Sequence, residues 1–359
     1  MLIARAPVRI SFAGGGTDVP SYYQQYGGLV INTTIDKYFY VIVNQVGRGA
    51  TQIVSADYKT FFSITHPNFK GRRRSDRLTH NYAQFEPDIK LNLSGDLMLP
   101  QAVLDHFGLA HGQNLFLASE IPPGTGLGSS SAAAVCLIKA CSTYRGCEMN
   151  KQETAELACH IEIEKLNMPI GKQDQYAAAF GGINQFEFLP DGTVKVDHFK
   201  LARNIAESLE DWLMLFYTGV SRHSTTILEK QKASVQDEDR KVLHNLHQMK
   251  ELAWNMRQCM EGGDMPTFGA ILDEGWQRKK QLVNTISNEA INETYEAAKA
   301  AGAIGGENTG GGGGGGFLLL CVPPENRQAV VEAMARRNLK EMYFKLETRG
   351  AHVVLDNIF

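Results

Sequence analysis

The stretch LFLASEIPPGTGLGSSSAAAVCLIKA, residues 115–140, constrains this chain more tightly than any other segment. An apolar, β-prone run meets two prolines, which cannot continue a strand ladder. Glycines then alternate at 124, 126 and 128, and three serines open a run of small helix formers. The chain must therefore pass from strand to helix through a turn of exposed backbone. Glycines permit conformations and close ligand approach that a Cβ resists, and the helix start offers unpaired N–H groups with partial positive charge. Together these favour phosphate, so Pro123, Gly124, Thr125, Gly126, Leu127, Gly128, Ser129, Ser130 and Ser131 form a candidate anion cradle. The Walker spacing GxxxxGK[ST] is absent, and GxGxG differs from the dinucleotide GxGxxG. A glycine turn with a serine N-cap is the plainer alternative, against which three hydroxyls at one helix start weigh.

The remaining pattern predicts an α+β protein. Strand-like runs occupy VRISFA, GLVINTTIDKYFYVIVNQV and TQIVSADYKTFFSIT, followed by a polar loop HPNFKGRRRSDRLTH. Helical periodicity covers 95–107, 130–145, 153–167 and 174–180, then 222–261, 264–301 and 325–338, with strands INQFEF, LMLFYTG, FLLLCV, 341–346 and AHVVLDNIF between or after them. A chain of 359 residues, 43% hydrophobic, is long enough for two cores, and a change of pattern near 190–210 divides it into residues 1–200 and 201–359.

Charge and cysteines exclude several classes. The 36 basic and 39 acidic residues leave a formal charge of −3, which supplies no global field for nucleic acid or an anionic membrane. An anionic ligand must be met by local chemistry. The six cysteines form no CxxC pair, which predicts reduced thiols and a cytoplasmic location. The N-terminus lacks a signal-peptide core and FLLLCV is too short to span a bilayer.

Three motifs, in order, carry a resemblance. RAPVRISFAGGGTDVP, PPGTGLGSSSAAA and GAIGGENTGGGGGGGFLLL resemble the substrate, phosphate and C-terminal glycine motifs of the GHMP kinases, over nearly the whole chain. The resemblance implies a two-domain fold, an N-terminal ribosomal S5 domain 2-like unit and a C-terminal ferredoxin-like α/β sandwich. It also implies ATP bound on the 123–131 loop. APVRISFAGGGTDVPSYY, IEIEKLNMPIGKQDQYAAAFGG and FYTGVSRHST look most like the heptose phosphate kinases, which phosphorylate the anomeric hydroxyl of a heptose 7-phosphate. Another sugar 1-kinase, of fucose or galactose type, or a non-catalytic sugar or nucleotide sensor, are the alternatives, and a homodimer stays open.

Carboxylates complete the reading. On TAELACHIEIEKLN, Glu162 shares a face with Ala155, Ala158 and Cys159, while Glu164 lies with Glu156 and His160 on a polar stripe. Glu162 therefore points inward, where a carboxylate needs an arginine or a metal. The resemblance carries Glu162 onto the metal side of an Mg2+ site with Ser130, and Asp174 onto the group facing the acceptor hydroxyl. By itself, Asp174 reads as an N-cap. Arg9 is either a strand-edge arginine or, by resemblance, the cation beside Asp174 that stabilises the transferring phosphoryl group. Gly15, Gly16, Thr17 and Asp18 correspond to the segment holding the sugar; galactokinase has an acidic residue and a histidine where Gly15 and Gly16 stand, which argues against galactose. The cluster Lys70, Arg72, Arg73, Arg74 and Arg77 could grip a substrate phosphate, bind nucleic acid or be a solvated loop, and Arg222 with His223 are a second candidate for the sugar-phosphate contact. Glu307 replaces the usual lysine of the third motif, Gly311 replaces an alanine, and Gly310–Gly316 are consecutive glycines, so Glu307 is expected to repel phosphate and weaken activity.

Overall fold

Rich in β-branched and aromatic residues, Leu2–Ala13 (β1) and Gly28–Gln45 (β2) are antiparallel partners, paired from Leu2 with Val43 to Ala13 with Ile31. A computed structural model describes residues 1–45, 50–56, 60–65, 97–109, 112–219, 225–310, 313 and 315–357. The basic cluster from Lys70 to Arg77, together with Arg222, His223 and Gly311, lies outside the described residues. Between β1 and β2 the glycine-rich turn leads into a short helix α1 (Pro20–Tyr26), which strand periodicity did not predict.

The third predicted strand is a hairpin, β3 (Ala50–Ser55) and β4 (Thr60–Thr65). After α2 (Met98–His106), β5 (Gln113–Ser119) runs antiparallel to β2 and parallel to β3. The helices α3 (Ser129–Tyr144) and α5 (Gln173–Phe180) pack on this sheet and α4 (Lys151–Cys159) packs on both helices, with α3 residues such as Ala132, Ala134 and Val135 fully buried. The small side chains let the helix sit close to the strands. β6 (Ile183–Phe188) and β7 (Val194–His198) extend β2 as a second hairpin.

The second sheet follows α6 (Arg203–Trp212), an amphipathic helix not predicted at the expected boundary, of which Leu209 is buried. β8 (Leu213–Tyr217) begins it. The helices α7 (Thr225–Gln236), α8 (Arg240–Gly262), α9 (Met265–Lys279) and α10 (Glu289–Ala300) precede β9 (Gly305–Asn308) and β10 (Phe317–Cys321), and α11 (Arg327–Ala335) precedes β11 (Lys340–Glu341). The order β11-β8-β10-β9, all antiparallel, with helices between β8 and β9 and between β10 and β11, is the ferredoxin-like arrangement expected above. Each of the two long predicted helices is broken. Glu238 takes φ 54° and Asp239 caps α8 by accepting from Lys241 and Val242 N–H; Asn288 caps α10 through Ile291 N–H.

The chain end returns to the first sheet. β12 (Leu346–Glu347) pairs with β2 and β13 (His352–Asp356) with β1, so strand pairing assigns residues 346–356 to the first sheet and not to the expected 201–359 unit. Phe12 of β1 meets Phe268 of α9 edge-on, with centroids 5.1 Å apart, and Leu252, Met256 and Ile271 join the same core. The two sheets thus share buried surface along β1. Among the described residues, no helix is long and apolar enough to cross a membrane.

Truncation after Gly350 unpairs the outer edge of β1. Urea unfolding of that variant is expected to show a loss of about 1–3 kcal/mol, and an unchanged midpoint would show that β13 contributes nothing.

Candidate active site

A cavity of ≈ 570 Å³ opens along the shared surface. Its walls include Arg9 and Ser11 of β1, the Gly14–Gly16 turn, the start of α3, Asp174 of α5, Gln231 of α7, Lys279 of α9, and Glu307. The phosphate-loop candidates divide by face. Pro123, Gly124, Gly126, Gly128, Ser129, Ser130 and Ser131 line the cavity, whereas Thr125 and Leu127 are fully buried away from it, the Thr125 hydroxyl donating to Pro122 O at 2.8 Å.

Two of the glycines are required by contact. Gly126, at φ +82°, would place a Cβ 2.3 Å from Thr309 O, because the third glycine motif packs on the loop and the Thr309 hydroxyl donates to Thr125 O at 3.0 Å. Gly128, at φ +73°, would place a Cβ 3.2 Å from the Asp174 carboxyl carbon and 3.4 Å from Arg9 Cγ. The missing side chain lets this ion pair approach the start of α3.

Arg9 joins three elements. Its Nε donates to Asp174 Oδ1 at 2.7 Å, Nη2 lies 2.7 Å from the same oxygen, and Nη1 donates to Gly126 O at 2.7 Å, while Arg9 N–H donates to Leu127 O. Arg9 is 5% exposed, so its charge is satisfied almost wholly by these acceptors. Asp174 is not an N-cap: Lys172 occupies that position and Asp174 sits inside the first turn of α5. The buried guanidinium, absent from any local sequence signal, claims the carboxylate instead.

Glu162 is fully buried and Glu164 is exposed and paired with His160 at 2.8 Å, the facing that helical periodicity predicts. The helix itself changes form there. α4 ends at Cys159 and His160–Lys165 is a π-helical turn, whose extra residue turns Ile161 and Glu162 inward together. Glu162 Oε1 accepts from the Ser130 hydroxyl at 3.1 Å and Oε2 from Gln175 Nε2 at 2.7 Å. Burial pushes its carboxyl up to about 7, against the opposing pull of Ser131, Gln175 and Ser130. A carboxylate beside a hydroxyl is a hard-oxygen pair that would suit Mg2+. Among the described residues no group of three or more His, Cys, Asp or Glu could form a closed metal cage.

The sugar-site candidates also divide. Gly15, Gly16 and Asp18 line the cavity, but Thr17 is fully buried, its hydroxyl bonded to Gly14 O at 2.8 Å and accepting from Leu29 N–H at 3.1 Å. It staples the turn to β2. Asp18 Oδ1 accepts from Gly16 N–H at 3.0 Å and Oδ2 from Gln173 N–H at 3.2 Å. Burial and the Asp174 charge raise its pKa, and the N–H donors oppose the rise.

Residues 98–182 match the GHMP kinases N terminal domain and residues 252–341 match GHMP kinases C terminal. The D-glycero-alpha-D-manno-heptose 7-phosphate kinase of Campylobacter jejuni is 32% identical over 311 residues, 85% of each chain. The chain belongs to the GHMP kinase family. The L-fucokinase/L-fucose-1-P guanylyltransferase of Bacteroides fragilis is 26% identical over 82% of this GHMP kinase but only 32% of its own length. A crystal structure titled as a D-glycero-D-manno-heptose 1-phosphate kinase from Bacteroides thetaiotaomicron superposes with a TM-score of 0.76, at 30% identity over 99% of both chains. This GHMP kinase is therefore a phosphotransferase with an alcohol group as acceptor.

Its altered third motif is compensated. Glu307 lies 3.0 Å from Lys279 Nζ, which also donates to Asn308 O at 3.0 Å, so the carboxylate does not face the cavity alone. Spacing could not reveal Lys279, which ends a different helix. Gln173 and Gln175, which flank Asp174, were likewise unsuspected; their only signal is the doubled glutamine in GKQDQ.

Two measurements test this site. In metal-free protein, the Glu162 carboxyl keeps its proton up to about 7 when folded but loses it near the ordinary 4.5 when unfolded, so stability falls as pH rises through that window. Denaturation from pH 4.5 to 7 is expected to cost wild type roughly 2–3 kcal/mol more than Glu162→Gln, and parallel profiles would refute the burial. Lys279→Met strands the Glu307 charge on the cavity wall and is expected to raise the nucleotide KM about tenfold, with Lys279→Met/Glu307→Met largely restoring it. No effect in the single variant would show that Glu307 is not facing bound phosphate.

Proposed function

We propose that this enzyme transfers the γ-phosphoryl group of ATP to the anomeric hydroxyl of D-glycero-D-manno-heptose 7-phosphate in the cytoplasm. The observation that carries the reading is the Arg9–Asp174 pair, held against the glycine loop in the cavity that the Gly14–Gly16 turn also lines. It supports an acceptor oxygen lying beside Asp174 with the transferring phosphoryl group toward Gly126 and Ser130. The apolar lining residues Leu97, Leu99, Leu117 and Ile121 support a purine near Pro123. The likeness to the Campylobacter jejuni and Bacteroides thetaiotaomicron enzymes supports heptose phosphate as the sugar. Six free cysteines fit a reducing compartment.

Phosphoryl transfer asks for positioning and charge stabilisation more than covalent chemistry. The main-chain amides of the 124–131 segment would bind the triphosphate at the start of α3. Asp174 accepts a hydrogen bond from the attacking hydroxyl, orients it, and takes its proton late, as the P–O bond forms. Arg9 holds Asp174 in place and lies next to the charge that develops on the phosphoryl oxygens. Ser130 and Glu162 would hold Mg2+, which neutralises phosphate charge when bound.

Coupled ADP release over a panel of sugars and sugar phosphates tests the reading. Wild type is expected to favour heptose 7-phosphate, and Asp174→Asn to lower kcat by about 10²–10⁴-fold while still binding ATP. A wild-type protein that binds ATP but turns over none of the panel would overturn it in favour of a sensor.

A further inference from the structure

Gln175, the residue after Asp174, is wholly buried, as is Glu162, and its Nε2 donates to Glu162 Oε2 at 2.7 Å. An ionised carboxylate can only accept, so the carboxamide must turn its NH2 end to Glu162 and its own Oε1 away. Among the described residues that Oε1 accepts no hydrogen bond. A buried acceptor left without a donor is costly, and an apolar side chain of similar length would fill the same volume without that cost. What the amide secures in exchange is a fixed donor on Oε2.

The other oxygen of Glu162 is placed differently. Oε1 lies 3.1 Å from the hydroxyl of Ser130, which is exposed and lines the cavity at the start of α3. Neighbouring oxygens around an octahedral Mg2+, at metal–oxygen distances of about 2.1 Å, stand about 3.0 Å apart. Ser130 Oγ and Glu162 Oε1 already have the spacing of two such ligands. Oε2, by contrast, is occupied by an amide at a position with no exposure to water. Ca2+ differs from Mg2+ in just this respect: it takes longer bonds, more ligands, and often both oxygens of one carboxylate.

We propose that Gln175 is a positioning residue that sets the cation preference of the site: by holding Glu162 Oε2 it restricts the carboxylate to one free oxygen, Oε1, and so favours Mg2+ over Ca2+. The inference rests on the reading of Ser130 and Glu162 as the Mg2+ pair and deepens it. Gln175 touches neither cation nor substrate and acts through Glu162 alone.

The test uses the full chain in excess over ADP, with Mn2+ as the probe. Bound Mn2+ loses its sharp electron paramagnetic resonance signal, and titration with Mg2+ or Ca2+ restores it, so the readout does not depend on turnover. Wild type is expected to favour Mg2+ over Ca2+ more strongly than free ADP measured alongside, and a preference no greater than that of free ADP would overturn the inference without any variant. Gln175→Met, which removes the donor at similar length, is expected to weaken Mg2+ about ten- to a hundredfold, the usual effect of deleting a partner of a ligating carboxylate. Ca2+ is expected to weaken less, because Oε2 becomes free to bind it. A merely structural role would weaken both cations by one factor, and an unchanged Mg2+/Ca2+ ratio in Gln175→Met would overturn this inference alone. Glu162→Gln is expected to weaken Mn2+ itself; Mn2+ held equally tightly in that variant would overturn the metal assignment, and this inference with it.

Discussion

The Arg9 guanidinium is the fixed point of the site. A buried cation must be paired, and a planar fork can meet acceptors in two directions at once. Arg9 uses both, holding Asp174 with one side and the Gly126 carbonyl with another, while its own N–H ties β1 to Leu127. One side chain thus sets the distance between a sheet edge, a glycine loop and the first turn of α5. Lysine could supply the charge but not the geometry. The requirement that Gly128 lack a Cβ follows from that closeness.

Around the same helical turn, three carboxylates are held by different means. Asp174 has a cation, Glu162 has two neutral donors of different kinds in Ser130 and Gln175, and Asp18 has main-chain N–H groups and an amide. The differences matter because desolvation acts on all three while compensation does not. Glu162, with neutral donors only, rises to about 7, and the Asp174 charge adds to the rise at both Glu162 and Asp18. Among the described residues lining the cavity, the cations are Arg9 and Lys279, and each already faces a carboxylate. Neither cation is left over, so uncharged amides and hydroxyls at the start of α3 are the donors that an anion in the cavity would meet. This agrees with a chain whose overall charge offers no attraction to anions.

The two glycine motifs work as a pair through packing. Thr309 and Gly310 lie against Gly126, so the 124–128 glycine loop is shaped partly by a segment from the far end of the second sheet's helices. Phe12 against Phe268 and the return of the chain end to β1 bind the two sheets along the same line. A cavity formed there is bounded by both, which places loop, turn and carboxylates around a single space.

Local order was written plainly in the residues. Proline, alternating glycines and a serine-led run of small side chains dictate strand, turn and helix from 115 to 140, because short-range sterics and hydrogen bonding decide those states. Helical periodicity alone put Glu162 inward and Glu164 outward. Burial could be read in this way, but partners could not. The pairing of Asp174 with Arg9, 165 residues away, came from the family resemblance and from no local pattern; that Asp174 would not cap its own helix, that Lys279 would cover Glu307, and that a wide turn would begin at His160 were decided only when the chain closed on itself. A repeating pattern records which face of an element avoids water. Which charge meets which across the core depends on topology, and no local pattern contains that.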